Sequence, residues 1–285
     1  MLAIVGLLFL LGCVFGSYLL HGGSMGPVIK ALPYEFMAIG GAAIGALIMA
    51  NSMHGVKHTV GGLLKALKGA AYHKADYIEM LSLLYFLVRL ASTKGNMALE
   101  PHIEKPEESS AFQAFPKILK NHHATVIICD YLRMIGMNAD DPHQIEDVMA
   151  RELKKTLHEE MHGAHALQGM ADGLPALGIV AAVLGVIKTM SSIDQPPAVL
   201  GGMIGSALVG TFMGVLLAYG MVAPMAGRLK QVLDADEQIF NAVKQVIIAS
   251  LHGYPQPLVV ESARSGLSHA NRPGLSELLD ALRGR

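Results

Sequence analysis

Four long stretches of apolar residues, almost free of charge, dominate the hydrophobic pattern of the chain. The first two are Met1–Leu20 and, approximately, Phe36–Met53. The third lies between Asp172 and about Asp194, with only Lys188 near its end, and the fourth extends from Asp194 to Arg228. A helix needs about 20 apolar residues to cross a bilayer. The pattern therefore predicts four transmembrane helices.

The polar segment between the second and third spans shows helical rather than strand periodicity. An apolar run at 77–88 predicts a helix that ends near Lys94-Gly95-Asn96, and residues 115–134 and 143–168 predict two more. The fold class is thus an all-α integral membrane protein with four transmembrane helices and a large helical loop between helices 2 and 3. The predicted divisions are 1–53, 54–172, 173–224 and 225–285.

Lys and Arg residues are distributed unevenly around these spans. The loop at 54–172 carries thirteen of them and the tail at 225–285 carries seven, whereas each short connection carries one. Positive residues stay on the cytoplasmic side. We therefore expect a cytoplasmic loop, a cytoplasmic C-terminal tail, cytoplasmic termini and two periplasmic hairpins. Three prolines at 255, 257 and 273 suggest a loose lead into a last short helix at 275–282.

Composition agrees with a membrane protein and excludes other classes. The chain is 52% hydrophobic and only 16% charged, with a mean hydropathy of +0.42 and a net charge of -1. Nothing in this balance indicates binding to nucleic acid. The two cysteines lie far apart in different contexts, which argues against a disulfide framework.

Small residues and prolines mark the spans. Glycines recur at four- to five-residue spacing, which favours close helix packing within the chain or between subunits; they are Gly41, Gly45, Gly201, Gly205, Gly210 and Gly214. Pro175 and Pro224 either kink a span or simply begin and end one. The predicted spans hold no Asp, Glu or Arg at mid-membrane depth, so a partner must supply any ion-carrying carboxylate.

His158-Glu159-Glu160-Met161-His162 fits the H-E-x-x-H pattern of zinc metalloproteases. A third ligand is needed, and only His165 or Asp172 is close in sequence. The pattern also lies in a charged helix ahead of a span, and the chain has 13 histidines, so a chance pair is unsurprising. The sequence therefore predicts no metal site and no enzyme.

Several stretches resemble the MotA family of flagellar stator subunits along nearly the whole chain. They are Gly12–Leu19, Leu99–Ser109, Asp172–Gly185, Val209–Gly220 and His252-Gly253-Tyr254. The resemblance implies a ring, usually of five subunits, around a dimer of MotB in the bacterial inner membrane. MotB carries the ion-accepting aspartate, the loop pushes on the rotor protein FliG, and no cofactor is required.

The resemblance also implies roles for individual residues. Glu100 matches the rotor-binding glutamate of the loop. The companion arginine is replaced by Ser92, so Lys94 or Arg89 is expected to supply the charge.

In the spans, Pro175 and Pro224 match the two prolines tied to conformational change. Thr211 matches the threonine that faces the partner's aspartate. Ala182 occupies a position where sodium-driven relatives have threonine, and its methyl group offers no oxygen to a sodium ion. The resemblance therefore implies proton coupling.

Two rival classes share some of these features. ExbB- and TolQ-like energisers are related, but they have three spans and lack the Leu99-Glu100 motif. A stand-alone transporter would need its own mid-membrane charge and would leak ions without a partner.

Overall fold

The computed structural model describes residues 2–137 and 141–283, and throughout these ranges the regular structure is helical. The chain forms two compact units. The span unit comprises the residues up to Gly69 together with Glu160–Val232. The loop unit comprises Ala70–Glu159 together with the residues from Leu233 onward.

Four helical stretches are long and apolar enough to cross a membrane, which confirms the four predicted spans. Their helices and two intervening π-helical segments are α1 (Leu2–Leu20), α2 (Met25–Glu35), π (Phe36–Gly40), α3 (Gly41–Ala50), α10 (Pro142–Met190), α11 (Pro197–Val215), π (Leu216–Val222) and α12 (Ala223–Leu251).

The second spanning stretch begins at Met25, eleven residues before the Phe36 predicted from the run of uncharged residues. Gly22, at φ 79°, allows the preceding turn, and the Ser24 side chain accepts a hydrogen bond from the backbone N–H of Gly26. Lys30 and Glu35 consequently lie inside a helix rather than in a hairpin.

Helix α4 (Met53–Lys68) follows the second span within the span unit. Ser52 caps its N-terminus, and Lys65 and Lys68 lie in its last turn, where they offset the helix dipole. A Cβ on Gly62 would lie 2.5 Å from Leu229, and one on Gly163 would lie 2.9 Å from the carbonyl oxygen of His58. Small residues thus let α4 pack closely on α10 and α12.

The loop unit contains shorter helices around one large apolar core. They are α5 (Lys74–Lys94), a 3-10 turn (Asn96–Ala98), α6 (Glu100–Glu104), α7 (Ser110–Gln113), α8 (Pro116–Lys120), α9 (His122–Gly136), α13 (Gln256–Ser265) and α14 (Leu275–Arg283). The core includes Tyr77, Leu81, Leu84, Phe112 and Ile128, each at most 1% exposed.

The sequence predictions for the loop were partly confirmed. Helix α5 ends at Lys94 and Gly95 follows at φ 83°, as the Lys-Gly-Asn break indicated. The predicted helix at 115–134 is instead divided at Asn121, whose side chain caps α9. The helix predicted at 143–168 does not end there, because α10 continues without a break to Met190.

The loose lead predicted for the tail is wrong. Helix α13 buries Val259, Val260 and Ala263, and Arg264 bridges Glu261 and the carbonyl oxygen of Pro273. The tail is therefore ordered through Arg283.

Candidate functional site

The centre of the span unit is a close crossing of α10 and α11. A Cβ on Gly178 would lie 2.8 Å from the carbonyl oxygen of Gly210, and one on Gly214 would lie 2.7 Å from the carbonyl oxygen of Leu174. Contacts this short to a neighbouring backbone require glycine at positions 178 and 214.

This crossing brings together two of the predicted site residues. A Cβ on Gly210 would lie 3.1 Å from the backbone nitrogen of Ala182, and Thr211 is the next residue along α11. Both Ala182 and Thr211 are half-buried. They therefore lie at neighbouring levels of the two helices, each with part of its surface open to a further group.

Pro175 and Pro224 both lie inside continuous helical stretches, so the alternative that they merely begin and end helices is wrong. A proline has no N–H and frees the carbonyl four residues earlier, here Ala171 and Gly220. Pro224 lies two residues after the end of the π-helical segment Leu216–Val222. Such segments occur often at functional sites.

Helix α1 contacts the π-helical side of the fourth span. The rings of Phe15 and Phe212 meet edge to face at 5.9 Å, and a Cβ on Gly220 would lie 3.2 Å from Leu10. Helix α1 thus packs against Phe212, the neighbour of Thr211, and against Gly220, whose carbonyl receives no hydrogen bond from Pro224.

One acidic residue of this region was missed by the sequence analysis. The Oε2 atom of Glu35 is buried, and a Cβ on Gly210 would lie 2.8 Å from it. The sequence pattern that could have located Glu35 is one face of a helix, not a run of uncharged residues. Residues of this face follow one another at spacings of one, three and four; they are Val28, Ala31, Leu32, Glu35 and Ile39.

The predicted rotor-binding residues lie together in the loop unit, around the end of α5. Arg89 and Lys94 are in the last two turns of α5, and Glu100 is the first residue of α6. All three are exposed, and within the described residues none forms an ion pair. Their charges are available to an external partner.

The connection between α5 and α6 is held from both sides. Leu99 is 1% exposed and anchors it in the core. Arg133 donates to Glu104 and to Asp130, each at 2.7 Å, and these acidic partners raise the pKa of its guanidinium. Glu100 is thus presented on a short helix fixed at its other end.

Ser92, the position that the sequence comparison predicted to replace an arginine, has hydrogen-bond partners of its own. Its hydroxyl donates to the carbonyl oxygen of Arg89 at 3.0 Å and accepts from the side-chain amide of Gln256 at 3.0 Å. Gln256 begins α13, so the tail contacts the helix that carries Arg89 and Lys94.

His158 and His162 lie on α10, and His162 and His165 line a cavity with Asn51. Among residues 2–137 and 141–283, no three His, Cys, Asp or Glu side chains form a group that could hold a metal ion. Within that part of the chain, His158 and His162 therefore have no third side chain beside them that could complete a zinc site.

Two family models match the chain. The model described as "Motility protein A N-terminal" matches residues 4–95, and that described as "MotA/TolQ/ExbB proton channel family" matches residues 113–242. Motility protein A of Escherichia coli (strain K12) is 39% identical over 99% of this chain and 95% of its own length. Chemotaxis protein LafT of Vibrio parahaemolyticus is 32% identical over 96% and 95%.

Two solved structures share the fold. The structure of C. jejuni MotAB has a TM-score of 0.76 at 18% identity, and the match covers 94% of this chain and 95% of that chain. The flagellar MotAB stator complex from Bacillus subtilis has a TM-score of 0.72 at 21% identity and covers 95% and 98%.

Proposed function

The chain belongs to the motility protein A family, and from this premise we propose that it is the ion-conducting stator subunit of a bacterial flagellar motor. It couples proton flow to torque on the rotor. The observation that carries the proposal is the similarity along nearly the full length, which includes both the spans and the charged loop. The N-terminal family match supports a motility role over that of an ExbB- or TolQ-like energiser.

The partner is a MotB-type dimer at the centre of a ring of about five copies, as in the family that the chain resembles. Glycines on the second and fourth spans support packing between copies, because no atom lies within 4 Å of where their Cβ would be; they are Gly41, Gly45, Gly201 and Gly205. Large apolar side chains along the spans are exposed, as contact with lipid or neighbouring helices requires.

The chain lies in the inner membrane with both termini, the loop at 54–172 and the tail at 225–285 in the cytoplasm. The excess of Lys and Arg in these segments supports this orientation. Residues 1–53 and 173–224 then supply the spans, and the two short connections face the periplasm.

Glu100 binds the rotor protein FliG, with Lys94 or Arg89 replacing the arginine that is absent at Ser92. The exposure of all three side chains supports this role. A salt bridge across a wet interface is weak, so contacts of this kind can form and break as the ring turns.

In the spans, Thr211 faces the partner's aspartate, and its hydroxyl can both donate and accept a hydrogen bond. Ala182 offers no oxygen ligand, which favours protons over sodium. Pro175 and Pro224 permit two packings of the helices. One charge moving down 100 mV releases about 2.3 kcal/mol, enough to bias packings that differ by a few kcal/mol.

The test is swimming in soft agar by a stator-deficient bacterium that receives this chain with its cognate MotB-type partner. We expect the chain to restore swimming and Glu100→Lys to reduce it at least several-fold, since charge reversal at Glu100 repels the rotor group that it binds. Glu107→Lys is the matched control, because Glu107 is also exposed and has no ion-pair partner in the described chain.

Equal loss with both variants would contradict the assignment of Glu100. A chain that reaches the membrane and binds its partner but never supports swimming would contradict the motor function and favour a non-flagellar energiser.

A further inference from the structure

Glu35 is a carboxyl group within the second spanning helix. It is the last residue of α2 and is followed directly by the π-helical segment Phe36–Gly40. The residue as a whole is half-buried, but its Oε2 atom is fully buried and has no hydrogen-bond partner. Across the described residues only one other buried side-chain atom, Nε2 of His123, lacks a partner.

The buried oxygen lies at the crossing of three helices. A Cβ on Gly210 of α11 would meet it at 2.8 Å, and the same Cβ would lie 3.1 Å from the backbone nitrogen of Ala182 and 3.2 Å from the Cβ of Ala181, both in α10. The space is available because residue 210 is glycine. Gly210 is close to Ala182 and immediately precedes Thr211, and these two residues are the ones assigned to the ion pathway.

Among the described residues, no cation forms an ion pair with Glu35. Helix α11 carries no charged residue, the α10 residues nearest to Gly210 are Ala181 and Ala182, and α2 has one other charged residue, Lys30, which is exposed. An ionised carboxylate away from water needs a hydrogen-bond donor or a cation, and without either the charged form is strongly disfavoured. Binding a proton removes the charge.

We propose that Glu35 is a second proton-binding carboxyl of the ion pathway, carried by this chain itself and set between α2, α10 and α11. Its carboxylate takes a proton from hydronium, releasing water, and then gives the proton to a water molecule that leads to the partner's aspartate. The proposal rests on the stator function, and it adds a carboxyl that acts before the partner's own.

The test uses the full chain with its MotB-type partner in swimming cells. Glu35→Gln keeps the shape of the side chain but cannot exchange a proton, so we expect swimming speed to fall at least tenfold while the chain still co-purifies with its partner. Glu35→Asp keeps the carboxyl but shortens it, and we expect reduced speed with an altered dependence on external pH. Lys30→Gln is the control and should leave speed within about a fifth of the unmodified chain.

Glu35→Gln swimming at the speed of the unmodified chain would overturn the proposal, whereas failure of the unmodified chain would overturn the stator function instead. If Glu35→Gln did not assemble, Glu35→Asp would decide. An unchanged speed and an unchanged pH profile in that variant would contradict the expected dependence on the position of the carboxyl and would overturn the proposal.

Discussion

The span unit and the loop unit are both helical, but their closest helix contacts are made by different kinds of residue. In the loop unit the core consists of large side chains such as Tyr77 and Phe112. In the span unit the closest contacts are made by glycines such as Gly178 and Gly210, and large residues such as Leu184 are exposed. The difference follows from the solvent, because lipid exerts no hydrophobic force between helices and leaves close backbone packing to hold them together.

The largest difference between the units is expected when one leucine of each is replaced by alanine and the losses of stability are compared. Leu81→Ala, at a position 0% exposed, should lower the free energy of unfolding by about 2–5 kcal/mol through lost contacts and a cavity. Leu184→Ala, at a position 59% exposed, should cost less than about 1 kcal/mol. Hydrogen exchange of α5 and α10 amides in the purified complex measures both. Similar costs in the two units would show that the loop unit lacks a packed core.

A smaller effect is expected from adding one methyl group to the helix crossing. Gly178→Ala places a Cβ 2.8 Å from the carbonyl oxygen of Gly210, and this backbone can only move as a whole, so we expect a loss of about 1–3 kcal/mol. Gly169→Ala, on the same helix with nothing within 4 Å, gains the same helix propensity without the clash. The melting temperatures of the two purified complexes give the comparison.

If Gly178→Ala melted at or above the temperature of Gly169→Ala, the helices would have room to separate. The close crossing would then not be what holds α10 against α11.

Sequence alone predicted the spans because lipid demands long uncharged runs, but it misplaced the start of the second. Lys30 and Glu35 interrupt the run, although Ala31 and Leu32 continue the apolar face of the helix. A linear count of charges cannot detect a carboxyl whose fit depends on a glycine 175 residues later, as Glu35 does on Gly210.

The prolines of the tail were misread for a similar reason. Pro255 is the N-cap residue of α13 and Pro257 lies in its first turn, where no N–H is needed. Exposure of Arg89, Lys94 and Glu100 could be anticipated from their charge. Whether Lys94 or Arg89 takes the rotor-binding role proposed for them could not be predicted, because it depends on a partner surface.

The smallest of the expected effects on stability concerns the two cysteines, one of which lies in each unit. Cys129 is buried in the loop unit, and burial raises the pKa of its thiol from 9.0 to about 11. The unfolded chain therefore releases this proton at a lower pH than the folded chain, so the contribution to stability is present below pH 9 and is lost as pH rises towards 11. By pH 10 the loss should be about 1 kcal/mol, at about 1.4 kcal/mol for each unit of pKa shift.

Urea unfolding of the purified complex, followed by circular dichroism at pH 8 and pH 10, measures this loss. Between pH 8 and pH 10, the free energy of unfolding of Cys129→Ala should fall by about 1 kcal/mol less than that of the unmodified chain. The cavity left by the substitution lowers the stability of Cys129→Ala equally at both pH values. Cys13→Ala is the matched control, because Cys13 is exposed on α1 and lies outside the loop unit. If all three chains lost the same free energy between pH 8 and pH 10, the Cys129 thiol would not be shielded from water, and the dry core of the loop unit would not extend to α9.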